Sequence, residues 1–200
     1  MIDSLYLGPI YDLSPHIEGD TVNTMQVAKL IQQQKIVAVF QGRSEAGPRA
    51  LGNRSILYDP RDPDGKDKIN QVKHRESFRP FAGSVLLPHA HKWFDMAGVD
   101  ESPFMMYALD ALPHTHDKIP AILHVDKTCR VQTVSLHDNS NYYQLIDSFY
   151  QLTDVPILFN TSFNLAGEPL VETPEDAIEC FECSDIDYLY FPEVQKLRGK

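Results

Sequence analysis

The chain has 200 residues, 42% of them hydrophobic, with 18 Lys plus Arg against 28 Asp plus Glu and a formal net charge of −10. That length suits one well-packed domain, and that charge argues against a protein built to grip nucleic acid nonspecifically, which needs a broad cationic face. No stretch approaches the ~20 apolar residues of a membrane span; with three cysteines in no framework spacing and no signal-peptide pattern in MIDSLYLGPI, a reducing cytoplasm is the expected compartment.

Residues 1–22 read as an extended, proline-punctuated lead-in. Asn23 then opens an amphipathic helix through NTMQVAKLIQQQ, with Val27, Leu30 and Ile31 on one face. KIVAVF, residues 35–40, is a buried strand. A short strand is expected around ILYD, a helix through GKDKINQVKH (65–74) and a Phe-rich strand over FRPFAGSVLL (78–87). PAILHV (120–125) and RVQTVS (130–135) have strand composition and share the turn DKT. Helical spacing returns in NYYQLIDSFYQLT (141–153), followed by the strand VPILFN (155–160). TPEDAIECFECSD opens with Thr173 as N-cap and Pro174 at the first helical position, and YLYFP (188–192) is a last strand. Interleaved helices with parallel and antiparallel strands predict an α/β (α+β) fold around a twisted mixed sheet, as one unit over 1–200.

The charge is not evenly spread. Residues 41–80 hold nine of the 18 cations and six acids, which makes that window +3 and the remainder −13. A local positive patch on an acidic chain suits a small anion. At its centre stands GRSEAGPRALGNRS (42–55), where a glycine-rich loop could offer backbone N–H groups to a phosphate. Gly42 and Gly47 have the first spacing of a P-loop, but Pro48-Arg49 stands where lysine and a hydroxyl residue belong, so that motif is rejected. Arg43, Arg49 and Arg54 could supply planar forks for phosphate or carboxylate oxygens, with Glu45 and Asn53 to orient them. The competing reading is a structural loop whose arginines pair with acids elsewhere. Three further cations, Lys73, Arg75 and Arg79, lie in KHRESFRPF; Lys73 and Arg75 share a face if the backbone is extended and diverge on a helix. At the end of VPILFN, the small polar residues Asn160, Thr161, Ser162 and Asn164 could bind a ligand at a strand terminus or build an Asx turn. His89, His91, His114 and His116 have HxH spacing without carboxylates for a metal site, and Cys180 with Cys183 forms a lone CxxC inside a helix, with Cys180 read as a core residue.

Four segments in order, GRSEAGPRALGNRSIL, INQVKHRESFRPFAGSVL, HVDKTCRVQTV and LFNTSFNLAGEPLVETPEDA, closely resemble the C-terminal half of O-carbamoyltransferases of the nodulation-protein and antibiotic-tailoring type. The resemblance runs from LGPIYD to the last strand. It implies a YrdC-like domain with a concave cationic face that takes carbamoyl phosphate and ATP, with Mg²⁺ on the triphosphate, and forms carbamoyl adenylate. Such domains use a Lys-x-Arg pair and a Ser-x-Asn pair, which here match Lys73/Arg75 and Ser162/Asn164 as catalytic candidates. The same resemblance puts Arg43, Glu45, Arg49, Asn53, Arg54 and Ser55, then Arg79, Arg130, Asn160 and Thr161, among the groups binding substrate or nucleotide. Gly83, Lys127 and Cys129 depart from the family's usual proline, glycine and alanine. Nothing here matches the family's metal-binding N-terminal transferase domain, so transfer to a hydroxyl acceptor is expected to need a separate partner, and a homodimer is compatible with the reading. The alternatives are a noncatalytic nucleotide- or RNA-binding module and a regulatory subunit.

Overall fold

A computed structural model of the chain describes residues 5–13 and 17–200; the rest of the expected lead-in lies outside the described residues. Nine strands make one mixed sheet in the order β1-β9-β8-β2-β3-β7-β4-β6-β5. These are β1 (Asp20–Thr21), β2 (Val37–Phe40), β3 (Arg54–Tyr58), β4 (Ala82–Leu86), β5 (Tyr107–Asp110), β6 (Thr128–Val134), β7 (Ile157–Ser162), β8 (Tyr188–Phe191) and β9 (Lys196–Gly199). β2 runs parallel to β8 and β4 to β6, while the other neighbours are antiparallel.

The helices are α1 (Thr24–Gln32), α2 (Gly65–Val72), α3 (Ala90–Trp93), α4 (Ser140–Thr153) and α5 (Pro174–Glu182). Local chemistry sets their starts. Asn23 accepts the Gln26 N–H at 2.9 Å and Gln26 accepts the Asn23 N–H at 2.9 Å, a reciprocal cap. Thr173 and Asp176 do the same for α5. Val27, Ala28 and Ile31 turn inward against α4, whose Leu145, Ile146 and Phe149 are buried in the same core. Phe81 and Phe159 meet there at a centroid distance of 4.5 Å; burying such a side chain stabilises the fold by about 1.5–3 kcal/mol.

Some expectations need correction. PAILHV is not a strand: Pro120–Ile122 is a 3₁₀ turn and His124–Thr128 closes a tight turn, so the partners of β6 are β4 and β5 instead. The strand expected over 78–87 is confined to Ala82–Leu86. β1, β5, β9 and α3 were not foreseen. At Gly19, beside β1, an added Cβ would lie 2.4 Å from the Leu197 carbonyl oxygen, so the approach of β9 requires glycine.

Strand register prepares the site. Asn160 on β7 stands opposite Ala82 on β4, and Ala82 opposite Arg130 on β6. Side chains two apart share a face, so Asn160 and Ser162, Ala82 and Ser84, and Arg130 and Gln132 belong to one surface.

Candidate functional site

The Lys-x-Arg segment is neither extended nor helical. α2 ends at Val72 with Lys73 as its C-cap, and His74 takes a left-handed φ of 51° before Arg75. That reversal brings both cations to one cleft of about 690 Å³, which Arg79, Ser162, Asn164 and Gly167 also line. The buried Lys73 ammonium donates to the Ser162 carbonyl at 2.6 Å, the Asn164 carbonyl at 2.8 Å and Asn164 Oδ1 at 2.9 Å. Ser162 Oγ donates to the same Oδ1 at 2.7 Å. Lys73 therefore clamps the end of β7, and burial, with Arg75 nearby, lowers its pKa to about 7. Arg75 is oriented by Asn70 Oδ1, 2.7 Å from its Nε, and by the Phe81 ring 4.3 Å from its guanidinium carbon. Its terminal nitrogens have no hydrogen-bond partner among the described residues. Burial, reinforced by Arg79, brings its pKa down to about 10. Arg79 itself is exposed and pairs with Glu76 at 2.9 Å.

A second, inner pocket of about 130 Å³ shares Arg75 and Ser162 with the cleft and adds Arg49, Arg130, Asn160 and Thr161. No carboxylate lines it. The Arg49 Nε is buried without a partner, and its Nη1 reaches only the Pro48 carbonyl, at 3.2 Å. Burial and then the neighbouring Arg49 lower the Arg130 pKa. Three guanidinium groups around a small space without a counter-charge form a site for anionic oxygens.

The rest of the arginine loop is scaffold. Glu45, 6% exposed, accepts the N–H groups of Leu51, Asn53 and Arg54 through Oε1 at 2.8, 2.6 and 3.2 Å. Burial raises its pKa against those bonds. Asn53 ties the Arg43 carbonyl to Asn139, and Ser55 Oγ accepts the Gly52 N–H. Arg54 has no exposed surface: its guanidinium donates to the carbonyls of Gln41, Asn53, Gly42 and Glu172 and stacks 3.6 Å from the Phe40 ring centroid. Arg43 is exposed, bonds the Gly8 carbonyl and lines neither cavity. Arg43, Glu45, Asn53, Arg54 and Ser55, expected among the ligand-binding groups, line neither cavity, and the bonds named here hold the loop in shape. Residues Leu5–Gly8 strap it from outside: Leu5 accepts the Ala46 N–H, Leu7 and Gly8 donate to Ser44, and the Tyr6 hydroxyl donates to the Leu51 carbonyl.

Arg49, Lys73, Arg75, Arg79, Arg130, Asn160, Thr161, Ser162 and Asn164 converge on the two cavities. Asn70, Phe81, Ala82 and Met105 were missed. Alternation along β6 from Arg130 could have flagged Gln132, but nothing in the sequence announces Asn70 as the holder of Arg75. Among the described residues no group of three or more His, Cys, Asp or Glu converges as a metal site. Cys180 is buried and Cys183 exposed, both as free thiols. The departures have a local logic. Lys127 itself adopts φ 67° in its turn, leaving the register of Arg130 intact. Gly83 and Cys129 are neighbours, an added Cβ at Gly83 lying 3.5 Å from the buried Cys129 sulfur, whose pKa burial pushes up to about 12.

Comparison with known proteins places this geometry. A solved full-length HypF in its phosphate- and nucleotide-bound form superposes with a TM-score of 0.56 at 19% identity, over 84% of this chain and 27% of that one. Sua5 of P. abyssi, complexed with L-threonine, gives 0.54 at 13% identity, over 84% and 46%. These likenesses establish the YrdC-like fold. In sequence, the chain is 44% identical to nodulation protein NolNO of Sinorhizobium fredii and 47% identical to NolO of Bradyrhizobium diazoefficiens. The alignments cover 87% and 77% of this chain but 26% and 28% of those proteins. An uncharacterized Synechocystis protein is 39% identical over 92% of this chain and 35% of its own length. The chain spans about a quarter to a third of the length of these curated relatives. No helix among the described residues is long and apolar enough to cross a membrane. A family model described as Carbamoyltransferase C-terminus matches residues 28–196, and the chain belongs to that family.

Proposed function

We propose that this chain is the carbamoyl-activating domain of an ATP-dependent O-carbamoyltransferase, taking carbamoyl phosphate and ATP and forming carbamoyl adenylate. The observation that carries the reading is the junction at Arg75 and Ser162, which line both the open cleft and the small carboxylate-free pocket. An elongated polyanion in the cleft and a small anion in the pocket would meet there.

Water releases inorganic phosphate from carbamoyl phosphate and leaves carbamate. A carbamate oxygen then attacks the α-phosphorus of ATP, the bond from that phosphorus to the bridging oxygen breaks, and pyrophosphate departs. Two anions must approach for this step. Arg49, Arg75 and Arg130 offset their repulsion, and the Ser162–Asn164 turn held by Lys73 positions the phosphoryl oxygens. No protein nucleophile takes part. The one carboxylate lining these cavities, Glu76, is paired with Arg79, so they do not fit a protein-held Mg²⁺. Transfer of the carbamoyl group to a hydroxyl acceptor is assigned to a separate domain or subunit.

The test is carbamoyl-phosphate-dependent exchange of labelled pyrophosphate into ATP. The wild-type chain should support exchange, and Arg75→Ala should lower it by about 10²-fold or more. Exchange unchanged by Arg75→Ala, or no exchange from a chain that binds both substrates, would refute the proposal.

A further inference from the structure

Arg49 lines the inner pocket, yet little inside the pocket fixes it. Among the described residues its side chain meets one acceptor, the carbonyl of its own neighbour Pro48 at 3.2 Å, and its buried Nε meets none. The backbone reaches it through Gly47, which sits at φ 102° with nothing packed where a Cβ would stand. The direction of the Arg49 guanidinium is therefore set by whatever holds the loop on either side.

The strap holds both sides. Ahead of Arg49, the Leu5 carbonyl accepts the Ala46 N–H at 2.7 Å, the Ser44 carbonyl accepts the N–H groups of Leu7 and Gly8 at 3.1 and 3.2 Å, and Tyr6 forms an antiparallel bridge with Glu45. Beyond Arg49, the Tyr6 hydroxyl donates at 3.0 Å to the Leu51 carbonyl, which also accepts from Gln132 Nε2. Tyr6 thus spans the loop from its entry to its exit. The buried Leu51 packs with Ala82 and Met105 in an apolar cluster separate from the main core, and Leu5, Tyr6 and Phe104 lie against it. Ala82 and Met105 are also walls of the inner pocket, so strap, loop and pocket share one small core. The fit is close: a Cβ at Gly8 would collide with Ser44 Oγ and lie 2.9 Å from the Ser44 nitrogen. All of this lies ahead of residue 28, where the family match begins.

We propose that Tyr6 is a positioning residue for anion binding: by tying the two ends of the loop together it aims Arg49 into the inner pocket, so that displacing the strap weakens the pocket's hold on an anion. This rests on reading that pocket as an anion site and requires nothing of the carbamoyl group. Tyr6 lines neither cavity, so it acts through Arg49. A residue of that kind loses its influence once Arg49 is gone, whereas one that merely stabilises the fold lowers binding whichever arginine is present.

The experiment is a double-mutant cycle on the full chain, read as affinity for inorganic phosphate in calorimetric titration. Tyr6→Ala should weaken phosphate binding by about fivefold or more and Arg49→Ala by about tenfold. Combined, the two should bind no more weakly than Arg49→Ala alone. With Arg130→Ala in place of Arg49→Ala the losses should multiply, because the register of β6, and not the strap, places Arg130. Tyr6→Phe keeps the ring in the cluster and removes the hydroxyl bond to Leu51; it should weaken binding by about threefold, with the same dependence on Arg49, and carries the test if Tyr6→Ala does not fold. Wild-type phosphate affinity in both Tyr6 variants would overturn the proposal and leave the anion site standing. Losses that multiply in the Arg49→Ala background would overturn it as well. Absence of phosphate binding by the wild-type chain would overturn the anion site and this proposal with it.

Discussion

Replacing Arg54 by Met keeps the apolar stem over Phe40 and removes the donors that hold the carbonyls of Gln41, Gly42, Asn53 and Glu172. Hydrogen bonds from a charged group contribute about 1.5–3 kcal/mol each. Four bonds on one guanidinium are not independent, and removing the cation relieves the desolvation that lowers its pKa. The expected loss is that of breaking one buried charged network, about 3–5 kcal/mol. For a chain of this length that lowers Tm by roughly 6–20 °C. Urea denaturation and scanning calorimetry would measure it, with Arg49→Met as the control. The control should shift stability by less than about 1 kcal/mol and weaken phosphate binding. An Arg54→Met protein of nearly wild-type stability that has lost phosphate affinity would refute the division of the loop into scaffold and site.

Lys73 gives a pH signature. Its free-state pKa of about 7 would rise when an anion enters the cleft, so binding takes up a proton above pH 7. Affinity for sulfate, which does not itself titrate there, should be highest below pH 7. It should fall by up to about tenfold per unit as pH rises toward the bound-state pKa. Titration at pH 8 in buffers of different ionisation enthalpy reads that uptake, and its persistence in Lys73→Met would assign the proton elsewhere. Gly83→Ala would put a Cβ 2.6 Å from Ile122 Cδ1 and 3.2 Å from Ile157 Cγ2 and should cost about 1–3 kcal/mol. Ile122→Val, which removes the Cδ1 methyl nearest that Cβ, should lower the cost of Gly83→Ala in the double variant; additive losses in the denaturation cycle would show that the two positions do not interact.

The sequence made the skeleton readable where local chemistry is strong. Caps at Asn23 and Thr173 and the apolar runs of β2, β7 and β8 carry their own signals. PAILHV failed because a short apolar run headed by proline serves a 3₁₀ turn as well as a strand. β5 went unseen because Tyr107, Ala108 and Asp110 are exposed at the sheet's end, so no buried run marks it. In the site, the resemblance picked out residues that do converge, but it could not separate Arg49 from Arg54. Both are arginines of one glycine-rich loop, and only the tertiary structure decides which guanidinium meets backbone carbonyls and which meets a cavity. The open question over Lys73 and Arg75 was resolved by His74, whose left-handed turn has no signature in residue type.

The family match ends where β9 begins, and β1 lies ahead of its start at residue 28. Yet β1 pairs with β9, and β9 covers β8. A protein trimmed to the matched span would present β8 as a bare edge of backbone donors and acceptors, open to pairing with other molecules. Expression boundaries for this domain are therefore better drawn from strand pairing than from sequence similarity: they should enclose Asp20 at one end and Gly199 at the other, with Leu5–Gly8 retained to brace the arginine loop.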